Sequence, residues 1–273
     1  MIESWKLHRN EYIFNPCWGC SSRPVACTEC VAEDYAKWYR QHETDFGSAW
    51  QFFGDDNWQQ PLRWNATATE TGKRARVFCE FTADVFEDRR ELDMDRARLW
   101  QLIARTSHLD WLLTTSRPEN VSVLAPWQKK WPANVWLGAT VTNQAVAAGR
   151  LAHLADIPAA IRFVSAELLL GPVDLKPWIA EIDLVITSER IVAGVCLNTS
   201  AWFRDLERQC AEAAIAFHYR LWGRLRPNQA RLAARRRRRT EKVKQRLSKE
   251  RAGLCLAMRV QHDVPTPRSP RST

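Results

Sequence analysis

The sequence predicts an α/β protein built on a parallel (β/α) barrel, complete or partial, with a basic C-terminal tail. Three observations carry this expectation. Short apolar runs of strand length alternate with amphipathic segments of helix length between Arg76 and Arg220, and such alternation implies parallel pairing, because each crossover helix must cover the sheet. About seven such units are present, which favours a barrel-like closure over an open sheet. The pattern then stops after Gly223, so residues 1–223 read as the barrel and 224–273 as an appended tail.

Residues 11–14 form a first short strand that runs into a cysteine-rich loop, and 31–42 read as a helix. From 43 to 72 no clear period is visible, and Gly54-Asp55-Asp56-Asn57 reads as a turn. The regular pattern begins with a strand over 76–80, an acidic loop and a helix over 93–105, where Leu99, Leu102 and Ile103 share one face. Strands follow over 110–114 and 135–139. Asn143 can cap the next helix, which would bury Ala147, Leu151 and Leu154. Further strands are expected over 161–165 and 183–187. Ser200 stands at the start of a helix with Phe203, Leu206 and Cys210 on one stripe, and 214–220 form the last strand.

The chain has 273 residues and 45% hydrophobic content, enough for a sizeable core. Its net charge of +9 is unevenly placed. Residues 224–251 hold 13 Lys/Arg against 2 acids and 252–273 add 3 Arg against 1 Asp, which leaves the first 223 residues at −4. The body is therefore mildly acidic and the basicity belongs to the tail. The arginine run from Arg235 to Arg239 is compatible with nucleic-acid contact through counterion release, and equally with a solvated arm, helical or disordered. The 14 tryptophans sit mostly among apolar residues, where core packing is the ordinary reading. No apolar run reaches membrane-spanning length, and Met1 to Lys6 lacks the core of a signal peptide. A cytoplasmic protein that does not engage a membrane is expected.

Four of the eight cysteines lie in fourteen positions, as Cys17-Trp18-Gly19-Cys20, six residues, then Cys27-Thr28-Glu29-Cys30. Two Cys-x-x-Cys pairs at this spacing suit zinc or an iron-sulfur cluster. A disulfide pair is the alternative, less suited to a reducing compartment. Cys79, Cys196, Cys210 and Cys255 are scattered and read as packing thiols.

In parallel α/β folds ligands gather at the carboxyl ends of the strands. Those ends carry the cysteine loop, Glu80 with Asp84, Ser116 with Arg117, Thr140 with Asn143, Glu167, Glu189, and His218 with Arg220. Asp84, Glu167 and Glu189 are the catalytic candidates, suited to holding a substrate amine or moving a proton; the alternative is a carboxylate bound to a neighbouring loop or arginine. Arg117 and Asn143 are the cofactor-binding candidates. Arg117 could grip a carboxylate or phosphate with two N–H groups, or pair with Glu119. His218 reads as a core residue. No Ser-His-Asp set, phosphate loop or Rossmann glycine fingerprint is found.

The ordered set of Asn15-Pro16, Gly19-Cys20, Cys27-x-x-Cys30, Pro61-Leu62-Arg63-Trp64, Val77-Phe78-Cys79, Ala83-Asp84-Val85-Phe86-Glu87-Asp88, Leu109-Asp110-Trp111-Leu112-Leu113, Arg117-Pro118-Glu119-Asn120, Asn134-Val135-Trp136-Leu137-Gly138, Arg162-Phe163-Val164-Ser165, Leu169-Leu170-Gly171-Pro172-Val173-Asp174-Leu175, Arg204-Asp205-Leu206 and Trp222-Gly223 resembles the phage-associated three-cysteine-motif family of uncharacterised proteins, which is similar to radical S-adenosylmethionine (radical SAM) enzymes. The resemblance implies a TIM-type barrel, with Cys20, Cys27 and Cys30 ligating three irons of a 4Fe-4S cluster. The fourth iron would chelate S-adenosylmethionine, whose cleavage gives a 5′-deoxyadenosyl radical that modifies a nucleic-acid or other substrate. It also implies a protein partner from a phage-related system. The chain departs from the family at several strand ends. Val31 stands where a tyrosine is usual, Ser116 where a lysine is usual, Ala166 where a cysteine is usual, and Thr187-Ser188 where paired glycines are usual. Cys17 opens a second reading, in which four cysteines close around zinc or a cluster in a non-catalytic module that contacts nucleic acid through the tail.

Overall fold

The computed structural model describes residues 11–21, 51–79, 83–128, 130–167, 169–189, 191–192, 195–196 and 200–221. The helix expected over 31–42, Cys27, Cys30 and the tail with Arg235 to Arg239 lie outside the described residues. In chain order come β1 (Glu11–Phe14), β2 (Cys17–Trp18), β3 (Gln51–Phe52), α1 (Asp55–Thr71), β4 (Ala75–Cys79), α2 (Asp93–Arg105), β5 (Leu109–Thr115), α3 (Val121–Leu124), β6 (Val135–Thr140) and α4 (Gln144–Asp156). They are followed by β7 (Ile161–Glu167), β8 (Leu184–Glu189), β9 (Ile191–Val192), β10 (Val195–Cys196), α5 (Ser200–Glu212) and β11 (Ala216–Leu221).

Seven strands form one sheet in the order β1-β4-β5-β6-β7-β8-β11, with every neighbouring pair parallel. The spatial order never reverses, as it would in a doubly wound sheet. Right-handed crossovers that always step the same way put every connecting helix on one face. The sheet therefore curls into a half-barrel with helices outside, which is the partial form of the barrel expected from the sequence. No helix among the described residues is long and apolar enough to cross a membrane.

The sequence marks most of these elements closely. The helix over 93–105 is found as expected, with Leu99, Leu102 and Ile103 buried. Ala147, Leu151 and Leu154 are buried on α4, and Phe203, Leu206 and Cys210 on α5. Two linked expectations are corrected: the stretch without a clear period contains the 17-residue helix α1, and Gly54-Asp55-Asp56-Asn57, expected as a turn, is its N-cap and first turn. Its Asp55 and Asp56 lie in the first turn, where the helix dipole favours acids. Gly72 ends it in the left-handed conformation at φ 63°. Its buried stripe is Trp58, Pro61 and Ala68, with Trp64 stacked on Tyr12 of β1 at 4.4 Å between ring centroids. A proline and aromatics in place of leucines conceal the period.

The larger core lies between sheet and helices. Phe14 of β1 meets Trp58 edge-on at 5.3 Å and Trp111 of β5 at 5.7 Å, which ties the first strand and α1 to the centre of the sheet. A second cluster fills the concave side, where Phe78, Leu112, Trp136, Ile161, Phe163, Leu184 and Ile186 pack with Ile13 and Ala216. Every strand of the sheet contributes. A Cβ at Gly138 would overlap the Phe163 ring, so the glycine is the socket that lets this ring lie across β6. Gly138→Ala should destabilise the fold by about 1–3 kcal/mol through overpacking. Denaturant unfolding checks this, and Gly149→Ala, where a Cβ meets nothing within 4 Å, is the control expected to leave stability unchanged or raise it.

Candidate functional site

The carboxyl ends of β1, β4 and β5 converge on one polar knot. After β1 the chain passes Asn15, whose carbonyl accepts from Asn57 Nδ2 at 2.9 Å, and enters the two-residue ribbon of β2 against β3. Gly19 follows at φ 129°, a backbone angle that L side chains rarely adopt. This turn delivers Cys20 and Ser21 to the end of β5, where Arg117 waits.

Arg117 is buried, with 4% of its surface exposed. Its Nη1 donates to Cys20 Sγ at 3.6 Å, to Asp84 Oδ2 at 3.1 Å and to Ser116 Oγ at 3.2 Å. Its Nη2 donates to the Ser21 carbonyl at 2.9 Å and pairs with Glu87 Oε2 at 3.2 Å. One guanidinium thus joins the cysteine turn to two carboxylates of the loop after β4. Glu87 also accepts from the Ser21 N–H at 3.1 Å, and Arg89 Nη1 donates to Ser21 Oγ at 3.1 Å. The loop itself is fixed from outside by Arg96 of α2, which donates to the Val85 and Glu87 carbonyls, each at 2.8 Å.

Electrostatics follow from this burial. Desolvation works against the charge of Arg117, but Asp84 foremost, then Cys20 and Glu87, more than offset it and hold its pKa above the ordinary value. Burial pushes the Cys20 thiol up to about 12; Arg117 pulls it down, and Asp84 and Glu87 add to the rise. Burial thus favours the neutral thiol form of Cys20, and Arg117 opposes it.

A match to a family model covers residues 5–265, and that family is described as proteins of unknown function, DUF5131. The chain belongs to the DUF5131 family. No curated protein matches it. Among solved structures it is similar to the apo form of 3-keto-D-glucoside 4-epimerase, YcjR, from E. coli, at 11% identity over 64% of this chain and 81% of that one, with a TM-score of 0.39.

The remaining candidates take distinct places in this DUF5131 protein. Asp84 sits as the alternative reading has it, a carboxylate bound within the protein. Its Oδ1 accepts from the Phe86 N–H and Thr115 Oγ1, and its Oδ2 from Ser116 N–H, Ser116 Oγ and Arg117. Five donors saturate a buried carboxylate, which makes it an anchor. Arg117 likewise turns both terminal nitrogens to protein groups and grips no open space; the expected pairing with Glu119 is replaced by Asp84 and Glu87. Asn143 caps α4, its Oδ1 accepting from the Val146 N–H at 3.0 Å, so that oxygen is committed to the helix and not to a cofactor. Cys17 is buried with Ala83 and Leu92. Glu167 closes β7 half-buried, and Glu189 closes β8 one position beyond the register partner of Glu167. Thr187, at the first of the two positions where glycines are usual, is buried and donates to the Ala166 carbonyl at 3.0 Å. Among the described residues no group of three or more His, Cys, Asp and Glu is placed to hold a metal ion. Sequence reasoning missed Glu87, Ser21 and Thr115; the acidic run Asp84 to Asp88 was the signal for the first.

Removing one partner of a buried, hydrogen-bonded ion pair leaves the other charge uncompensated. Asp84→Ala and Arg117→Ala should each cost about 3–5 kcal/mol of stability. The double variant should cost clearly less than the sum. Urea unfolding of the three variants checks this, and strict additivity would show the pair to be uncoupled.

Proposed function

We propose that this chain is an iron-sulfur protein of the radical SAM kind, with Cys20, Cys27 and Cys30 holding a 4Fe-4S cluster at the carboxyl mouth of the half-barrel. The observation that carries the reading is the seat of Cys20: the first cysteine of the three is delivered by the Gly19 turn to the carboxyl end of the sheet, 3.6 Å from a buried arginine. The described residues fit such a group. Thiolate-ligated clusters are tuned by hydrogen bonds to their sulfurs and by nearby charge, and Arg117 offers both.

A cluster held there would supply one-electron reduction chemistry toward bound S-adenosylmethionine. The chain's own residues divide the remaining work. Arg117, Asp84, Glu87 and Arg89 orient the cysteine turn. Phe78, Leu112, Trp136 and Phe163 fill the concave side and exclude water from below. Glu167, at the end of β7 on the strand face that carries Phe163, is the group offered to a substrate amine or proton. The tail arginines from Arg235 to Arg239 suit a nucleic-acid substrate, and a protein of a phage-related system is the partner this reading carries.

Metal and acid-labile sulfide, measured on protein purified without oxygen, test the assignment. Wild type should carry about four irons with matching sulfide. Cys20→Ala, Cys27→Ala and Cys30→Ala should each lose most of both, while Cys17→Ala retains them. Stoichiometric zinc, or a centre that collapses in Cys17→Ala, would overturn the reading in favour of a closed four-cysteine module.

A further inference from the structure

We propose that the Arg117–Asp84 pair is a positioning and tuning element of the metal centre: Arg117 donates an N–H to the ligand sulfur of Cys20 and makes the cluster easier to reduce, while Asp84 opposes it. This rests on the iron-sulfur reading above and adds to it a named control on the potential. It is carried by geometry. Nη1 of Arg117 reaches Cys20 Sγ at 3.6 Å and Asp84 Oδ2 at 3.1 Å, so one nitrogen is shared between the thiol and the carboxylate. Asp84 is in turn fixed by the Thr115 hydroxyl at 2.8 Å and by the N–H and hydroxyl of Ser116, both at 2.9 Å. Neither side chain can swing away without leaving a buried charge bare.

Reduction adds one electron, and so one negative charge, to the cluster, with no bond made or broken; the electron comes from an external low-potential donor. A cation beside a ligand sulfur stabilises the reduced form and an anion destabilises it. Both groups lie in a desolvated pocket, with 4% and 5% of their surfaces exposed, where the field of each is weakly screened. Charge changes at the two positions must then move the potential in opposite directions. Damage to folding or cluster loading would not produce that sign pattern.

The test is a dithionite titration of reconstituted protein with redox mediators, followed by electron paramagnetic resonance of the reduced cluster. The variants are Arg117→Gln, Arg117→Lys and Asp84→Asn, each compared with wild type at known iron and sulfide content. Arg117→Gln should lower the midpoint potential, by at least a tenfold change in the one-electron equilibrium, about 59 mV. Asp84→Asn, which keeps the shape and one acceptor oxygen, should raise it. Arg117→Lys should fall between Arg117→Gln and wild type, since the charge stays and the fork of donors is lost. Shifts of the same sign in Arg117→Gln and Asp84→Asn, or equal potentials in all four proteins, would overturn the inference and leave the iron-sulfur reading intact. Wild type without iron and sulfide would overturn both.

Discussion

The guanidinium of Arg117, buried between two carboxylates, is the interaction on which the site depends. Taking charged groups out of water costs several kcal/mol per ion unless each is paired and hydrogen-bonded. Here the pairing is supplied by three separate pieces of chain: the end of β5, the loop after β4 and the turn after β1. The cysteine turn is ordered because the guanidinium needs the Ser21 carbonyl, and the acidic loop is ordered because Arg96 and Asn120 hold its carbonyls from the helix side.

The sheet makes this meeting possible. Parallel strands in unbroken chain order bring all carboxyl ends to one rim. The apolar cluster on the concave side gives the rim a dry floor. Phe163 of β7 lies over Gly138 of β6, the strand next to β5, so packing below and ion pairing above lie on neighbouring strands.

The sequence made the aliphatic parts of this fold legible. Leu99, Leu102 and Ile103 recur at helical spacing, and the runs at Leu109 and Val135 are long enough to read as buried strands. α1 was hidden because its stripe uses Trp58, Pro61 and Ala68, two of which ordinarily signal something else. At the site, residue types and strand-end positions were readable, and roles were not. Asp84 and Arg117 were both marked as mouth residues, yet each is consumed by the other. That pairing joins positions 33 apart in sequence, and no local period encodes it. Glu87 went unnoticed for the same reason. Cys17 and Cys20 form one Cys-x-x-Cys pair in the sequence, and in the structure Cys17 packs with Ala83 and Leu92 while Cys20 meets Arg117.

The sharing of one arginine nitrogen between Cys20 and Asp84 also bears on how this protein can change over time. A lineage that loses the arginine strands the aspartate in a dry pocket, and one that loses the aspartate strands the arginine. Either single step passes through a less stable intermediate, so selection for stability couples the two positions. The cysteine turn inherits the constraint, because its Ser21 carbonyl leans on the same guanidinium. Within the DUF5131 family, ancestry at these three places should look like that of one inherited unit.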